Sequence, residues 1–337
     1  MKTQNSIPAR RHGWRGIFPL TVHAVIALAL LCSGCKSPSA SRTISAIPSH
    51  GSDHLWVSVH VGVAESARSR KLDVHWNGPN GQNDGERQIA LINTAIRDRN
   101  YGLILSPSNP FALNTAVAHA LAAGMPVVAV GEQLTLGPRK NLSFVLNDEQ
   151  VTGRLAAQRI ELLTGGKGEV LVLGMDPLSL AGTERAARFS ELLTRGQSGL
   201  SVVDAGNNTI HFGQAELAVE STLQAHRHLT AIFALNPAAA QGAIVALETT
   251  GKRSKIPIVG FGYSHDLAYL LRHRAIDAII APNMRRMGQI AVDNLVAQKQ
   301  NQKVVPVTYV QPMLVTPENI DGQQAQELLD LDWRATR

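Results

Sequence analysis

The sequence predicts an α/β protein made of two similar, doubly wound parallel-sheet lobes. Three observations carry that reading. Short, continuous apolar runs suited to strands buried on both faces alternate with segments of helical periodicity. One unit, Ile232 to Asp266, is plainly β-α-β: an apolar run ends at Asn236-Pro237, a helix carrying Ile244 and Leu247 follows, and a second run spans Ile256 to Phe261. Finally, Gly124-Met125-Pro126-Val127-Val128-Ala129-Val130-Gly131 is echoed by Lys255-Ile256-Pro257-Ile258-Val259-Gly260-Phe261-Gly262, each a proline, an apolar strand and a glycine.

Taken in order, Thr43 to Ile47 reads as a strand, Leu55 to Leu72 as a helix, and Asp73 to Trp76 as a short strand running into the turn cluster Asn77 to Gly81. Asp84 to Arg97 is helical, with Ile89, Ile92 and Ile96 on one face. Gly102 to Leu105 is a strand ending at Ser106-Pro107, Phe111 to Ala123 a helix closed by Gly124, and Pro126 to Val130 a strand ending at Gly131. The second half repeats the alternation. Helices are expected at Val151 to Leu163, Thr183 to Thr194 and Gln214 to Ala225, with strands at Val170 to Leu173 and Leu200 to Asp204. After the Ile232 to Asp266 unit come a strand (Asp277 to Ala281), a helix (Arg286 to Gln298), a proline-punctuated extended segment (Val304 to Val315) and a polar tail, Asp321 to Arg337. Strands separated by helices of this length imply parallel pairing through right-handed crossovers.

A chain of 337 residues has room for about two domains, and 44% hydrophobic with 17% charged residues is a globular composition. The formal charge of +6 is inflated at the N-terminus, where Lys2, Arg10, Arg11 and Arg15 stand unopposed by any acid. The remainder carries about +2, so no nucleic-acid footprint is present. Both cysteines, Cys32 and Cys35, also lie near the N-terminus, which leaves the body without disulfide or thiol chemistry. Met1 to Gly16 is positively charged, Ile17 to Leu31 is a largely apolar run of 15, and Cys32-Ser33-Gly34-Cys35 follows. These are the three regions of a secretory signal, and the apolar run is short for a membrane span. Leu31-Cys32-Ser33-Gly34-Cys35 resembles the lipobox of bacterial lipoproteins, which makes Cys35 the expected lipidation site, 1–34 the signal peptide and 35–42 a serine-rich tether.

Motifs for chemistry are weak. Gly262-Tyr263-Ser264 at a strand end resembles a nucleophile elbow, but the elbow needs Gly two residues after Ser, where Asp266 stands. Thr164 to Glu169 is glycine-rich but follows a helix and precedes a strand, the reverse of a phosphate-binding loop, and reads as a helix C-cap. His226, His228, His265 and His273 lack metalloprotease spacing and have no cysteine partner, so no metal and no cofactor is expected. A non-enzymatic binding protein remains, its ligand in a cleft at strand ends between lobes.

Several stretches in this order then resemble a known family: Gly102 to Pro107, Ala123 to Val128, Phe144 to Asp148, Glu184 to Phe189, Ile232 to Asn236, Ile258 to Phe261 and Val315 to Ile320. From Thr43 to about Asp321 the chain is similar to the type I periplasmic substrate-binding proteins of sugar ABC importers, close to the ribose-binding group. The resemblance implies lobes joined by a three-segment hinge, crossing near Gly131 to Ser143, near Ala281 to Met284 and near Pro306 to Leu314. The lobes would be 43–140 with 283–306 and 141–282 with 307–320, ahead of a tail at 321–337. It also implies ligand contacts from Trp56, Ser106, Arg185 and Asn236. The family's usual acids at Gly131 and Gly262 and its Gln at Pro282 are missing, and Glu132, Tyr263 and His265 stand next in line to replace them.

The expected protein is therefore a monomeric, lipid-anchored solute-binding protein of the periplasm or cell envelope. It would capture a small polar ligand, with a sugar the first expectation, and deliver it to an ABC permease. A sensory protein presenting its closed form to a membrane receptor or kinase is the alternative. A repressor of the same fold would need a DNA-binding headpiece where the signal stands, and a serine hydrolase ranks last.

Overall fold

Buried apolar strands account for the architecture. The computed structural model describes residues 41–50, 54–81, 84–196 and 198–329. The signal segment, Cys35, most of the tether and the last eight residues of the tail lie outside them. Among the described residues, twelve strands form two six-stranded sheets. The first contains β1 (Thr43–Ile47), β2 (Asp73–Trp76), β3 (Gly102–Leu105), β4 (Val127–Val130), β5 (Leu142–Asn147) and β11 (Val307–Val310), in the order β11-β5-β4-β3-β1-β2. The second contains β6 (Lys167–Leu173), β7 (Gly199–Asp204), β8 (Leu229–Ala234), β9 (Ile258–Phe261), β10 (Ala278–Ala281) and β12 (Met313–Val315), in the order β12-β10-β9-β8-β6-β7. All neighbours pair in parallel except β10 and β12. Set aside the last strand of each sheet and both have the same doubly wound order.

The sequence echo falls on equivalent elements. Its two copies contain β4 and β9, each the fourth strand of its sheet in chain order. Both end on a glycine in the left-handed region, Gly131 at φ +75° and Gly262 at φ +85°.

Helices cover both faces of each sheet, as strands buried on both sides require. On the first sheet, α1 (His54–Ser69) and α9 (Met284–Lys299) take one face, while α2 (Gly85–Arg97) and α3 (Asn114–Ala122) take the other. On the second, α4 (Glu149–Thr164) and α5 (Leu180–Arg195) take one face. Its other face carries α6 (Phe212–Ala225), α7 (Pro237–Thr249) and α8 (His265–Arg272). The short α10 (Gln323–Leu329) buries Ala325. Side chains start the helices where the orphan N–H groups need acceptors. Asp84 accepts from Arg87 N at 2.9 Å, Asp148 from Val151 N at 3.1 Å and Asn283 from Arg286 N at 3.0 Å. Gly165 closes α4, its N–H donating to Glu161 O, so the glycine-rich stretch is a C-cap. Helices α1 and α9 touch through Gly62 and Gly288, where a Cβ would run into the facing backbone.

Two expectations are corrected. The periodicity gives residues 142–147 no strand and the resemblance puts them in the second lobe, yet β5 pairs with β4 and β11 in the first sheet. The first crossing therefore follows Asn147 instead of lying near Gly131 to Ser143. By the same pairing, 307–310 belongs to the first lobe, not the second. The second crossing is at Pro282-Asn283, between β10 and α9, and the third lies between Val310 and Met313. The other correction is α8, in a stretch to which the sequence reading assigns no element. Ser264 begins it, accepting from Leu267 N at 3.1 Å.

Candidate ligand-binding cleft

The order of each sheet reverses at its first strand, between β1 and β3 and between β6 and β8. Ligands collect outside the carboxyl ends of strands at such switch points. A cleft of about 510 Å³ opens there between the lobes. From the first lobe it is lined by Ser49, Leu55, Trp56, Ser106, Ser108, Gly131, Glu132 and Asn147. From the second it is lined by Asp176, Ser179, Arg185, Asn236, Pro237, Phe261 and Ser264, with Pro282 and Met284 at a crossing.

Five of the seven residues expected to contact ligand line this cleft: Trp56, Ser106, Glu132, Arg185 and Asn236. Trp56 is half-buried at the start of α1, and its ring lies over the backbone of Gly131. Ser106 follows β3 and is buried, and its Oγ has no hydrogen-bond partner among the described residues. Ser108 Oγ and Asn147 Oδ1, which sequence reasoning did not single out, share that condition. The signal for Asn147 was its place at the end of a strand that the periodicity had not revealed.

Arg185 and Asn236 are in the wall, and each is also engaged by other groups of the protein. Arg185 Nε and Nη2 donate to the two oxygens of Glu149 at 2.9 and 2.7 Å, and Nη1 donates to Leu235 O at 3.2 Å. Its guanidinium carbon lies 3.3 Å from the centre of the Phe261 ring. Both ionic partners are buried, so this bidentate pair is a rigid structural piece of the wall. Burial pushes the Glu149 carboxyl above its ordinary pKa, while the charge and hydrogen bonds of Arg185 and a bond from Asn147 pull it back. Asn236 caps α7: its Oδ1 accepts from Ala239 N at 2.8 Å and its Nδ2 donates to Gly174 O at 3.3 Å.

Glu132 reaches across the cleft. Its carboxylate accepts from Ser179 Oγ at 2.7 Å and from Ala181 N at 3.1 Å, both at the start of α5, and from its neighbour Gln133 N at 3.0 Å. Burial raises its pKa, and those three bonds with the positive field of Arg185 oppose the rise.

Tyr263 and His265 are corrected. Tyr263 is 1% exposed and packs in the core, and His265 is exposed at the first turn of α8; neither lines the cleft. The turn after Gly262 leads directly into a helix, which turns Tyr263 inward and His265 outward.

The two glycines found where acids were expected sit in tight surroundings. A Cβ at Gly131 would lie 3.1 Å from Trp56 Cη2 and 3.9 Å from Met284 Cε. One at Gly262 would lie 3.1 Å from Pro237 Cγ and 3.5 Å from Leu55 Cδ1. Positive φ adds a steric cost for any larger residue. Apolar side chains thus fill the space over both positions. Ser264 Oγ is occupied as the cap of α8, which gives the Gly262-Tyr263-Ser264 turn a structural role.

A two-lobed, doubly wound α/β fold with its cleft at both switch points is the architecture of type I periplasmic binding proteins. Residues 44–303 match the family described as periplasmic binding protein domain, and the chain belongs to that family. It is 27% identical over 254 residues to the ribose import binding protein RbsB of Bacillus subtilis (strain 168), covering 74% of this chain and 80% of that one. It is 22% identical to the D-allose-binding periplasmic protein of Escherichia coli (strain K12), covering 76% of this chain and 84% of the other. Among solved structures, an ABC transporter solute-binding protein from Agrobacterium vitis with bound D-fucose shares the fold. It has a TM-score of 0.77 and 24% identity, over 84% of this chain and 98% of its own.

Proposed function

We propose that this protein is an extracytoplasmic solute-binding protein that closes two lobes around a small neutral sugar and delivers it to an ABC permease. The observation that carries the reading is the interlobe cleft, with the flat face of Trp56 beside buried, unpartnered oxygens at Ser106, Ser108 and Asn147. An aromatic ring offers a surface to the apolar face of a sugar ring, and oxygens of this kind accept from its hydroxyls. The names of the relatives support the class, since they are import binding proteins for ribose and binding proteins for allose. Trp56 and Ser106 are the direct contacts in this reading. Arg185 and Asn236 build the second-lobe wall, and Glu132 joins the walls. No step of the function calls for catalysis or a cofactor. Lipid attachment at Cys35 would hold the monomer at the membrane beside its permease.

A thermal-shift screen of pentoses, hexoses, 6-deoxyhexoses, polyols and nucleosides tests the reading. A ligand that binds only the folded form raises the melting temperature by mass action. At least one neutral sugar is expected to do so, and Trp56→Ala is expected to weaken that hit. A shift from another solute class, with none from any sugar or polyol, overturns the sugar assignment. Unchanged affinity in Trp56→Ala returns that ring to the core.

A further inference from the structure

We infer that Glu132 is an interlobe latch: a first-lobe carboxylate, seated on the N-terminus of α5 in the second lobe, that holds the cleft closed. The inference rests on lobe closure as the working motion of the protein, and it goes beyond the ligand contacts proposed above.

Geometry carries it. Glu132 follows β4, and Ser179 and Ala181 open α5 on the other lobe. These bonds join segments 47 and 49 residues apart in sequence, one from each lobe. The start of a 16-residue helix concentrates unpaired N–H groups and a positive dipole end, which favour an anion. Ser179 already satisfies Gly182 N at 2.9 Å as the N-cap, and its hydroxyl hydrogen goes to Glu132 Oε2. Ala181 N–H, which the cap does not reach, goes to the same carboxylate. One side chain of the first lobe thus completes the cap of a second-lobe helix. The arrangement exists only while the lobes are together, and opening sends the carboxylate and both donors back to water.

Such a contact shifts the open-to-closed balance without touching ligand. A larger closed fraction tightens apparent affinity, because a binding-competent state populated at fraction f weakens the observed Kd by 1/f. Glu132 is thus a positioning residue. Its position next to Gly131 also explains why it does not stand in for the acid missing there: its oxygens are committed to α5.

The test needs no ligand and uses the full-length chain. Small-angle scattering should give a larger radius of gyration for Glu132→Ala than for the wild type. Glu132→Gln, which keeps an acceptor oxygen, should fall between them. Hydrogen exchange at the Ala181 amide should accelerate about tenfold in Glu132→Ala, since hydrogen bonds to charged groups are among the stronger ones. Core amides of β3 should not change. Adding Ser179→Ala to Glu132→Ala should expand the molecule no further. Equal radii and equal Ala181 exchange in wild type, Glu132→Ala and Glu132→Gln overturn the latch. If Glu132→Ala does not fold, wild type against Glu132→Gln decides by the same two measurements. A shift from another solute class in the thermal-shift screen, with none from any sugar or polyol, would overturn the sugar reading and leave this result standing.

Discussion

The two walls of the cleft are built from equivalent loops of equivalent sheets, but their polar groups are spent differently. On the second wall, Asn236 and Ser264 cap helices, Ser179 caps α5 while bonding Glu132, and Arg185 is held in a bidentate pair by Glu149. On the first wall, Ser106 Oγ, Ser108 Oγ and Asn147 Oδ1 are buried without a partner among the described residues. Buried polar atoms are nearly always bonded, so three together at one cleft are the groups left for the ligand in the proposed function. The contrast is between a wall whose named polar groups are bonded within the protein and one that, in that reading, contacts the ligand.

That division can be broken most visibly at Arg185. Arg185→Ala leaves Glu149 buried and unpaired, and chemical denaturation is expected to show a loss of about 3–5 kcal/mol. A loss under about 1 kcal/mol would mean the second wall does not depend on the pair. The next effect compares two serines of the cleft, one from each lobe. Ser264→Ala removes a helix cap and should cost about 1 kcal/mol of stability with sugar affinity unchanged. Ser106→Ala should leave stability within about 0.5 kcal/mol and weaken binding of whichever sugar the screen identifies by about two- to tenfold. The reverse pattern would exchange the roles of the walls.

The smallest effect is in pH. Burial holds the Glu132 pKa above its ordinary value of 4.5, so the folded chain keeps this proton to higher pH than the unfolded chain does. Its contribution to stability is therefore fully present below 4.5 and falls as pH rises through the raised value. Subtracting the melting temperatures of Glu132→Gln from those of the wild type isolates this group from the exposed acids. The difference should decline with rising pH across that window; a difference that grows would show that the bonds from α5 outweigh burial.

Much of the fold could be read along the chain. Burial on both faces makes a parallel strand a continuous apolar run, and alternation with helices gives the lobes. The two copies of the proline-strand-glycine echo even mark the fourth strand of each sheet. The strand at 142–147 escaped because Ser143 and Asn147 interrupt its apolar run, although both are buried. Helix α8 escaped because Gly262-Tyr263-Ser264 reads as a turn, and the Ser264 cap is visible only once Leu267 N is seen bonded to it. Of the site, Trp56, Ser106, Arg185 and Asn236 were legible through the family resemblance and Glu132 through its place beside Gly131, and all five line one cleft. Their roles were not legible. A guanidinium, an amide or a carboxylate has the same donors and acceptors wherever it stands.

Local sequence therefore determined the lobes and most strands, since apolar periodicity is a property of neighbours along the chain, and the resemblance to a family pointed to the residues at the cleft. Only the tertiary structure decided which lobe owns 142–147 and 307–310, and that Glu149 claims Arg185 from 36 residues away. It also decided that Trp56 and Leu55 fill the space over the two glycines, and that Glu132 crosses to α5. Each of these is a contact between segments distant in sequence, and a hydrogen bond or a packed ring has no partner until the chain has folded to supply one.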